Sequence, residues 1–419
     1  LIMILKQQCL FEEKSYFGTS ATHTGGKGEV FHDWYPYLEG FSSSFVSSVF
    51  DKYLSNGKKI LDPFSGIGTT PIYLTIKGVK SYYCEINPIL QHLVSTKSNI
   101  LKLDRISKKK IIQKINLIQS NLNQINSEQK NFQLDQSYKH LFNKSIFFEQ
   151  SNYLRILKIK SFSNTIKNEL VKSLFDVATY SCLLKASLLK RAGDVRFKTK
   201  KDLEKEKIPN IINLISNKLD LIKTDLEKTN KPKVTPKLIC KNSKDLINIK
   251  SHKLDGVITS PPYLNGTNYF RNTKLELWYM QKINKEVSLR DFRNETITAG
   301  INDVSANIKK EIINEVKSLY EKLKKNSYDK RIPKMVSDYF YDMKIVLKGL
   351  KKQIKNNGII CIDIGDSIYN KIHVQTDEVL IKICSNLNLK LIDNIILRDR
   401  LSHSKVKLTQ RLLVFKKNG

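Results

Sequence analysis

Lys59-Ile60-Leu61-Asp62-Pro63-Phe64-Ser65-Gly66-Ile67-Gly68-Thr69-Thr70 reads as a short apolar strand ending on an acid, followed at once by a glycine turn. An apolar helix to about Lys77 comes next, then a second strand, Ser81-Tyr82-Tyr83-Cys84, that ends at Glu85. Strand, tight turn, helix, strand is the parallel βαβ unit, whose ligand end is the carboxyl end of its strands. Glycines in such a turn let a ligand approach the backbone. The acid on the second strand is placed to accept hydrogen bonds from ribose hydroxyls. A dinucleotide site would show GxGxxG, which this turn lacks. The bland reading, a simple tight turn, leaves both strand-end acids without a role.

Helical periodicity at Phe45, Val46, Val49, Phe50, Tyr53 and Leu54 predicts a helix ahead of this unit. Downstream, strands are expected at Leu238-Ile239-Cys240, at Gly256-Val257-Ile258 and from Ile359 through Ile364. Pro333 is expected to open a long amphipathic helix that Gly358 stops, and Thr376 to cap the next one. Leu391–Leu397 and Leu412–Phe415 read as a closing hairpin. The fold class is α/β, one seven-stranded, mostly parallel sheet with an antiparallel last strand.

That sheet is interrupted. Residues 30–100 carry its first part and 236–419 its second, with a basic helical insert at 101–235 and a smaller insert without clear periodicity at 284–334. Ile111, Ile115, Ile118, Leu122 and Ile125 follow heptad spacing, as do Ile212, Ile215, Leu219, Ile222 and Leu226. The two stripes can pair as an antiparallel helical hairpin, or pack on the flank of the sheet.

The chain carries 72 Lys+Arg against 40 Asp+Glu, a formal charge of +32. Residues 101–250 alone hold 32 basic and 14 acidic side chains. So large an excess costs self-repulsion, and it points to a polyanionic partner whose counterions are released on binding. Lys108, Lys109, Lys110, Lys198, Lys200 and Lys201 are the expected phosphate contacts. Base-composition bias would enrich lysine without depleting acids. No pair of the six cysteines has CxxC spacing, so neither a metal nor a disulfide framework is expected. No apolar run reaches the length of a membrane span, and a cytoplasmic location is expected.

Thr259-Ser260-Pro261-Pro262-Tyr263 directly follows a predicted strand. Two prolines end the strand and fix the backbone, so carbonyl oxygens stay aimed at a ligand. Methylation of an exocyclic amino group needs this arrangement, because the amine's lone pair is delocalised into the ring. Hydrogen bonds accepted from both N–H groups, one by the Ser260 hydroxyl and one by a carbonyl of the proline region, push the nitrogen towards tetrahedral geometry. Tyr263 would stack on a base flipped out of its helix. Taken alone, the stretch reads equally well as a rigid turn before a helix.

Together, DPFSGIGTT and TSPPY resemble the S-adenosylmethionine-dependent DNA amino-methyltransferases. The cytosine-N4 group is the nearest, since its members carry Ser before the two prolines where adenine-N6 members more often carry Asp or Asn. The resemblance covers the sheet-forming parts and not the inserts. It implies S-adenosylmethionine as cofactor, held by the turn through Asp62, Phe64, Gly66, Gly68 and Thr69, with Glu85 on the ribose. Ser260, Pro261, Pro262 and Tyr263 then form the catalytic loop. The segment Phe31-His32-Asp33-Trp34-Tyr35-Pro36, with Tyr35 as its candidate contact, covers the methionine end. Asn242 stands where the family places the residue that meets the adenine amino group, and Gly365-Asp366-Ser367 where it places an element near the base.

The expected partners are double-stranded DNA with its target base flipped out and a cognate restriction endonuclease; no membrane is involved. The cofactor motif precedes the catalytic motif, whereas most cytosine-N4 members show the reverse order. Adenine-N6 methylation is therefore the alternative within DNA enzymes. An RNA guanine-N2 methyltransferase and a non-catalytic DNA-recognition subunit stand further off.

Overall fold

The computed structural model describes residues 18–418 apart from 38, 144, 193, 265–268, 286, 306 and 402–405. Among them, the strands are β1 (Lys59–Asp62), β2 (Lys80–Cys84), β3 (Leu189–Ala192), β4 (Asp194–Phe197), β5 (Lys237–Cys240), β6 (Leu254–Thr259), β7 (Ile354–Gly365), β8 (Ser367–Tyr369), β9 (Ile372–Val374), β10 (Leu389–Leu401) and β11 (Lys407–Lys417). Seven of these form one sheet in the order β10-β11-β7-β6-β1-β2-β5. The pairs β1–β2, β1–β6, β2–β5 and β6–β7 are parallel, while β11 runs antiparallel between β7 and β10. The chain grows outward from β1 through β2 to β5, then returns to β6 on the other side of β1. That reversal between β1 and β6 opens a crevice at the carboxyl ends of the strands, where open α/β sheets bind ligands.

Helices cover both faces. On one face α1 (Ser43–Tyr53), capped by the Ser42 hydroxyl, and α2 (Thr69–Ile76) bury Phe45, Val46, Val49 and Leu74 against Ile60, Ile258 and Val414. Then come α3 (Pro88–Leu101), α4 (Arg105–Ser120), α5 (Phe132–Phe142), α6 (Gln150–Thr165), α7 (Glu169–Leu183), α8 (Lys200–Lys205) and α9 (Ile211–Lys228). The last elements are α10 (Tyr269–Asn272), α11 (Lys274–Tyr279), α12 (Leu289–Glu295), α13 (Lys317–Asn326), α14 (Ile332–Gln353) and α15 (Thr376–Asn386). On the opposite face α14 buries Met335, Val336, Tyr339, Phe340, Met343, Val346 and Leu347. No helix of the described residues is long and apolar enough to cross a membrane.

The two heptad stripes meet as an antiparallel pair. Lys108 Nζ donates to the Thr229 carbonyl at 2.8 Å, Lys223 Nζ to Asn116 Oδ1 at 2.9 Å and Gln119 Nε2 to the Ser216 carbonyl at 3.1 Å. Ile111, Ile115, Leu219, Ile222 and Leu226 are buried in a core shared with α3 and α7, helices rather than strands of the sheet. Within this core Asp225 of α9 accepts hydrogen bonds from the Phe31 amide at 2.7 Å and Trp34 Nε1 at 2.8 Å. They hold Phe31 at φ 67°, a left-handed conformation that a bulky side chain rarely adopts.

Four expectations need correction. Gly358 does not stop the long helix, which ends at Gln353 and passes directly into β7. The buried Gln353 amide makes that junction, donating to the Leu246 carbonyl and accepting from the His252 amide. Thr376 is the first helical residue and Gln375 precedes it without a side-chain cap. Leu122 and Ile125 fall in a 3₁₀ turn after α4 has ended. Lys108 is buried against Thr229 rather than presented to solvent.

Candidate functional site

At the end of β1 the chain turns through two glycines with positive φ, Gly66 at 53° and Gly68 at 86°. A Cβ on Gly66 would stand 3.2 Å from Tyr37 Cε1, and one on Gly68 only 2.7 Å from Val94 Cγ2. The first glycine therefore keeps space open beneath Tyr37, and the second lets α2 pack on α3. Glu85, one residue past β2, accepts the Gly66 amide at 2.8 Å and the Asn87 amide at 2.8 Å. Burial outweighs those two bonds and pushes its carboxyl up to about 8.

Asp62 accepts the Thr259 hydroxyl at 2.7 Å and the Phe64 amide at 3.1 Å, which ties the β1 turn to the end of β6. The next four residues, Ser260 to Tyr263, leave the sheet. Ser260 is half-buried, and its hydroxyl makes no hydrogen bond to a described residue. Tyr263 is anchored at both ends: its amide donates to Tyr269 Oη at 3.3 Å and its hydroxyl to Asp363 Oδ1 at 2.9 Å. Asp363, buried on β7, also accepts Gln410 Nε2 through both oxygens, at 2.8 and 2.9 Å.

These groups face one cleft of about 1340 Å³, open to solvent, at the β1–β6 reversal. Phe64, Gly66, Glu85 and Asn242 line one half, above β1, β2 and β5. Asp363, Gln410 and Arg398 line the other, above β7, β11 and β10, and Ser260, Pro261, Pro262 and Tyr263 stand between them. Asn242 caps the following turn, its Oδ1 accepting the Lys244 amide at 3.0 Å and its Nδ2 donating to the Glu295 carbonyl at 2.8 Å.

Five of the residues expected at or near the site do not line the cleft. Asp62 lies beneath it as the tie just described. Gly68 and Thr69 face a separate hollow beside Ile72 and Tyr73, because the turn has already entered α2. Tyr35 is wholly buried and donates to Glu276 Oε1 at 3.0 Å; two residues on, Tyr37 reaches the cleft instead. Asp366 is likewise engaged elsewhere, accepting the Thr409 hydroxyl at 2.8 Å and facing His373 at 3.1 Å.

Among the lining residues not expected from the sequence are Tyr37, Arg191, Asp363, Arg398 and Gln410. Only Asp363 had a local signal, as the one acid inside the apolar run Ile359–Ile364. Arg191 comes from the insert, on β3, and donates to the Pro36 carbonyl at 2.9 Å.

Comparison with known proteins finds relatives along most of the chain, among them two Type II methyltransferases. The Type II methyltransferase M.BsoBI of Geobacillus stearothermophilus is 26% identical over 95% of this chain and 86% of its own length. The Type II methyltransferase M.AvaI of Nostoc is 22% identical over 87% of this chain and 80% of its own. Among solved structures, the rRNA methyltransferase aviRa from Streptomyces viridochromogenes aligns over 93% of this chain and 90% of its own, at 9% identity and a TM-score of 0.31, too distant to carry weight. No family model matches the chain.

Proposed function

We propose that this chain methylates an exocyclic amino group of a base in DNA, the N4 of cytosine, using S-adenosylmethionine, as the modification enzyme of a type II restriction–modification system. The observation that carries this reading is the single cleft in which Ser260, hydroxyl unengaged, faces a glycine turn and a ribose-type acid. Two relatives named Type II methyltransferases, matched over most of their length, support it.

The residues present fit the cofactor. The missing Cβ of Gly66 leaves room beneath Tyr37, and Glu85 offers carboxylate oxygens to a diol. When bound, S-adenosylmethionine supplies an electrophilic sulfonium methyl. The protein's part is to hold the amine. Ser260 Oγ accepts one N–H, a carbonyl of the proline pair accepts the other, and Tyr263, pinned by Asp363, offers its ring as a stacking floor. Both acceptors draw the nitrogen lone pair out of conjugation as the new bond forms, so the interaction strengthens in the transition state. The insert, with about half of the basic excess, supplies phosphate contacts and candidate target recognition.

Glu85 makes the cofactor half pH-dependent. Its carboxyl is raised from 4.5 to about 8, so the free protein binds more protons than its unfolded chain across that window. Glu85 thus draws on stability as pH rises through the window, and a cofactor that hydrogen-bonds the anion restores it. Affinity for S-adenosylmethionine is expected to tighten by roughly tenfold between about pH 6.5 and 8.5, and to lose most of that dependence in Glu85→Gln. Calorimetric titration at both pH values checks this; parallel curves for the two proteins would remove Glu85 from the ribose.

The product decides the reaction. Unmodified DNA incubated with the protein and cofactor, then digested to nucleosides, should yield N4-methylcytosine by mass spectrometry. N6-methyladenine alone would transfer the mechanism to the other base, and no methylated nucleoside would end the reading.

A further inference from the structure

The half of the cleft above β7, β11 and β10 has a built polar wall. Asp363, Gln410 and Arg398 stand on neighbouring strands: Gln410 is opposite Gly365 in one ladder and opposite Arg398 in the other. The ladder slips by one residue between Ile396 and Arg398, at the buried Leu397. A bulge of this kind next to a site re-aims a side chain. Here Arg398 faces the cleft.

The wall is also ordered in one direction. The amide nitrogen of Gln410 donates to both oxygens of Asp363 and to the Ala21 carbonyl at 3.4 Å, which leaves that amide's oxygen turned the other way. The Gln410 oxygen accepts Arg398 Nε at 2.6 Å. Nε is thereby spent, and the guanidinium plane is fixed by a chain that begins at a buried carboxylate. The two terminal nitrogens of Arg398 make no hydrogen bond to a described residue. At the other end of the same chain, Asp363 holds the Tyr263 hydroxyl. One network therefore positions both the stacking ring and a fork of unspent donors.

A fork of two parallel N–H donors matches two adjacent acceptors in one plane. Beside its amino group, cytosine presents N3 and O2 on one edge, both acceptors. Adenine presents N1 and then a C–H. We infer that Arg398 is the residue that distinguishes the target base, its terminal nitrogens donating to N3 and O2 of a flipped cytosine while Ser260 receives the amino group. The inference rests on the DNA amino-methyltransferase reading and extends it from the reacting nitrogen to the rest of the base edge. Arg398 meets the base but not the reacting atom, so its loss should weaken productive placement and leave the cofactor half untouched.

The test uses the full chain, S-adenosylmethionine and PCR-amplified, modification-free genomic DNA. Arg398→Met is expected to lower kcat/KM for DNA by about 10- to 100-fold, the discrimination carried by one good bidentate base contact. Cofactor affinity and the salt dependence of DNA binding should stay as in the wild type. Arg398→Lys keeps the charge but not the fork, and should recover only a small part of the loss. Wild-type turnover in Arg398→Met overturns the inference. So does full recovery in Arg398→Lys, which would make charge sufficient, or a salt slope reduced by about one unit, the mark of a phosphate contact. If Arg398→Met no longer binds cofactor, Arg398→Lys decides alone. Product analysis separates the two layers. N4-methylcytosine from a wild type whose Arg398→Met variant is unimpaired overturns this inference only, whereas N6-methyladenine from the wild type overturns the cytosine reading and this inference with it.

Discussion

Gly66→Asp is expected to weaken S-adenosylmethionine binding by more than about 100-fold while the protein stays folded. Three effects act in one direction. The residue sits at φ 53°, where a side chain is strained at about 1 kcal/mol, although Asp tolerates the left-handed region better than most residues. Its Cβ would stand 3.2 Å from Tyr37 Cε1, so the ring that bounds the cleft must yield by a few tenths of an ångström. The larger effect is the carboxylate itself. The Gly66 amide donates to Glu85 at 2.8 Å, so a second acid would enter beside a buried one and fill space left for the ligand. Gly66→Ala keeps the first two effects without the charge, and should fall between wild type and Asp. Isothermal calorimetry for affinity and thermal unfolding for integrity separate these outcomes. Equal affinity in all three proteins would place the cofactor elsewhere.

Ser260→Ala is expected to cut methyl transfer by about 100- to 1000-fold, on the scale of removing one preorganised hydrogen-bonding group from a reacting centre. The Ser260 hydroxyl has no partner among the described residues, so its removal breaks no tie within the fold. The neighbouring ties, Asp62 to Thr259 and Tyr263 to Asp363, remain to hold the loop. Cofactor affinity should therefore stay within about twofold, and the loss should fall on the chemical step. Single-turnover methylation with saturating cofactor measures it directly. A variant that loses cofactor affinity in proportion to turnover would make Ser260 a cofactor contact rather than a contact of the amine.

The glycine turn after β1 was legible because strand, glycine and helix lie within a dozen consecutive residues and each obeys a local rule. The loop from Ser260 to Tyr263 was legible for the same reason, with two prolines closing a strand. What escaped was whatever depends on which strand lies beside which. Asp363, Gln410 and Arg398 converge only because β7, β11 and β10 are adjacent, and no local pattern announces that adjacency. Tyr35 and Tyr37 show a finer limit: both are aromatic and both are near the right place, yet a buried Glu276 claims one and leaves the other to the cleft. The Gly358 error has the same origin. A glycine is a good helix stop on average, but the buried Gln353 amide had already ended the helix.

The antiparallel pairing of α4 with α9 bears on how the sheet is assembled in time. Strand β5 must find β2 although well over a hundred residues separate Cys84 from Lys237 in the chain. Long-range parallel pairings are slow because loop closure must precede any contact that rewards it. Once Lys108 has met Thr229, the tether that β2 and β5 must close shrinks by roughly a factor of five. On the logarithmic scaling of closure entropy that lowers the cost of this last closure by about 1.4 kcal/mol. The α4–α9 pairing thus takes on most of the closure cost itself, with its buried helical core as the reward, and leaves edge strand β5 only a short connection to close.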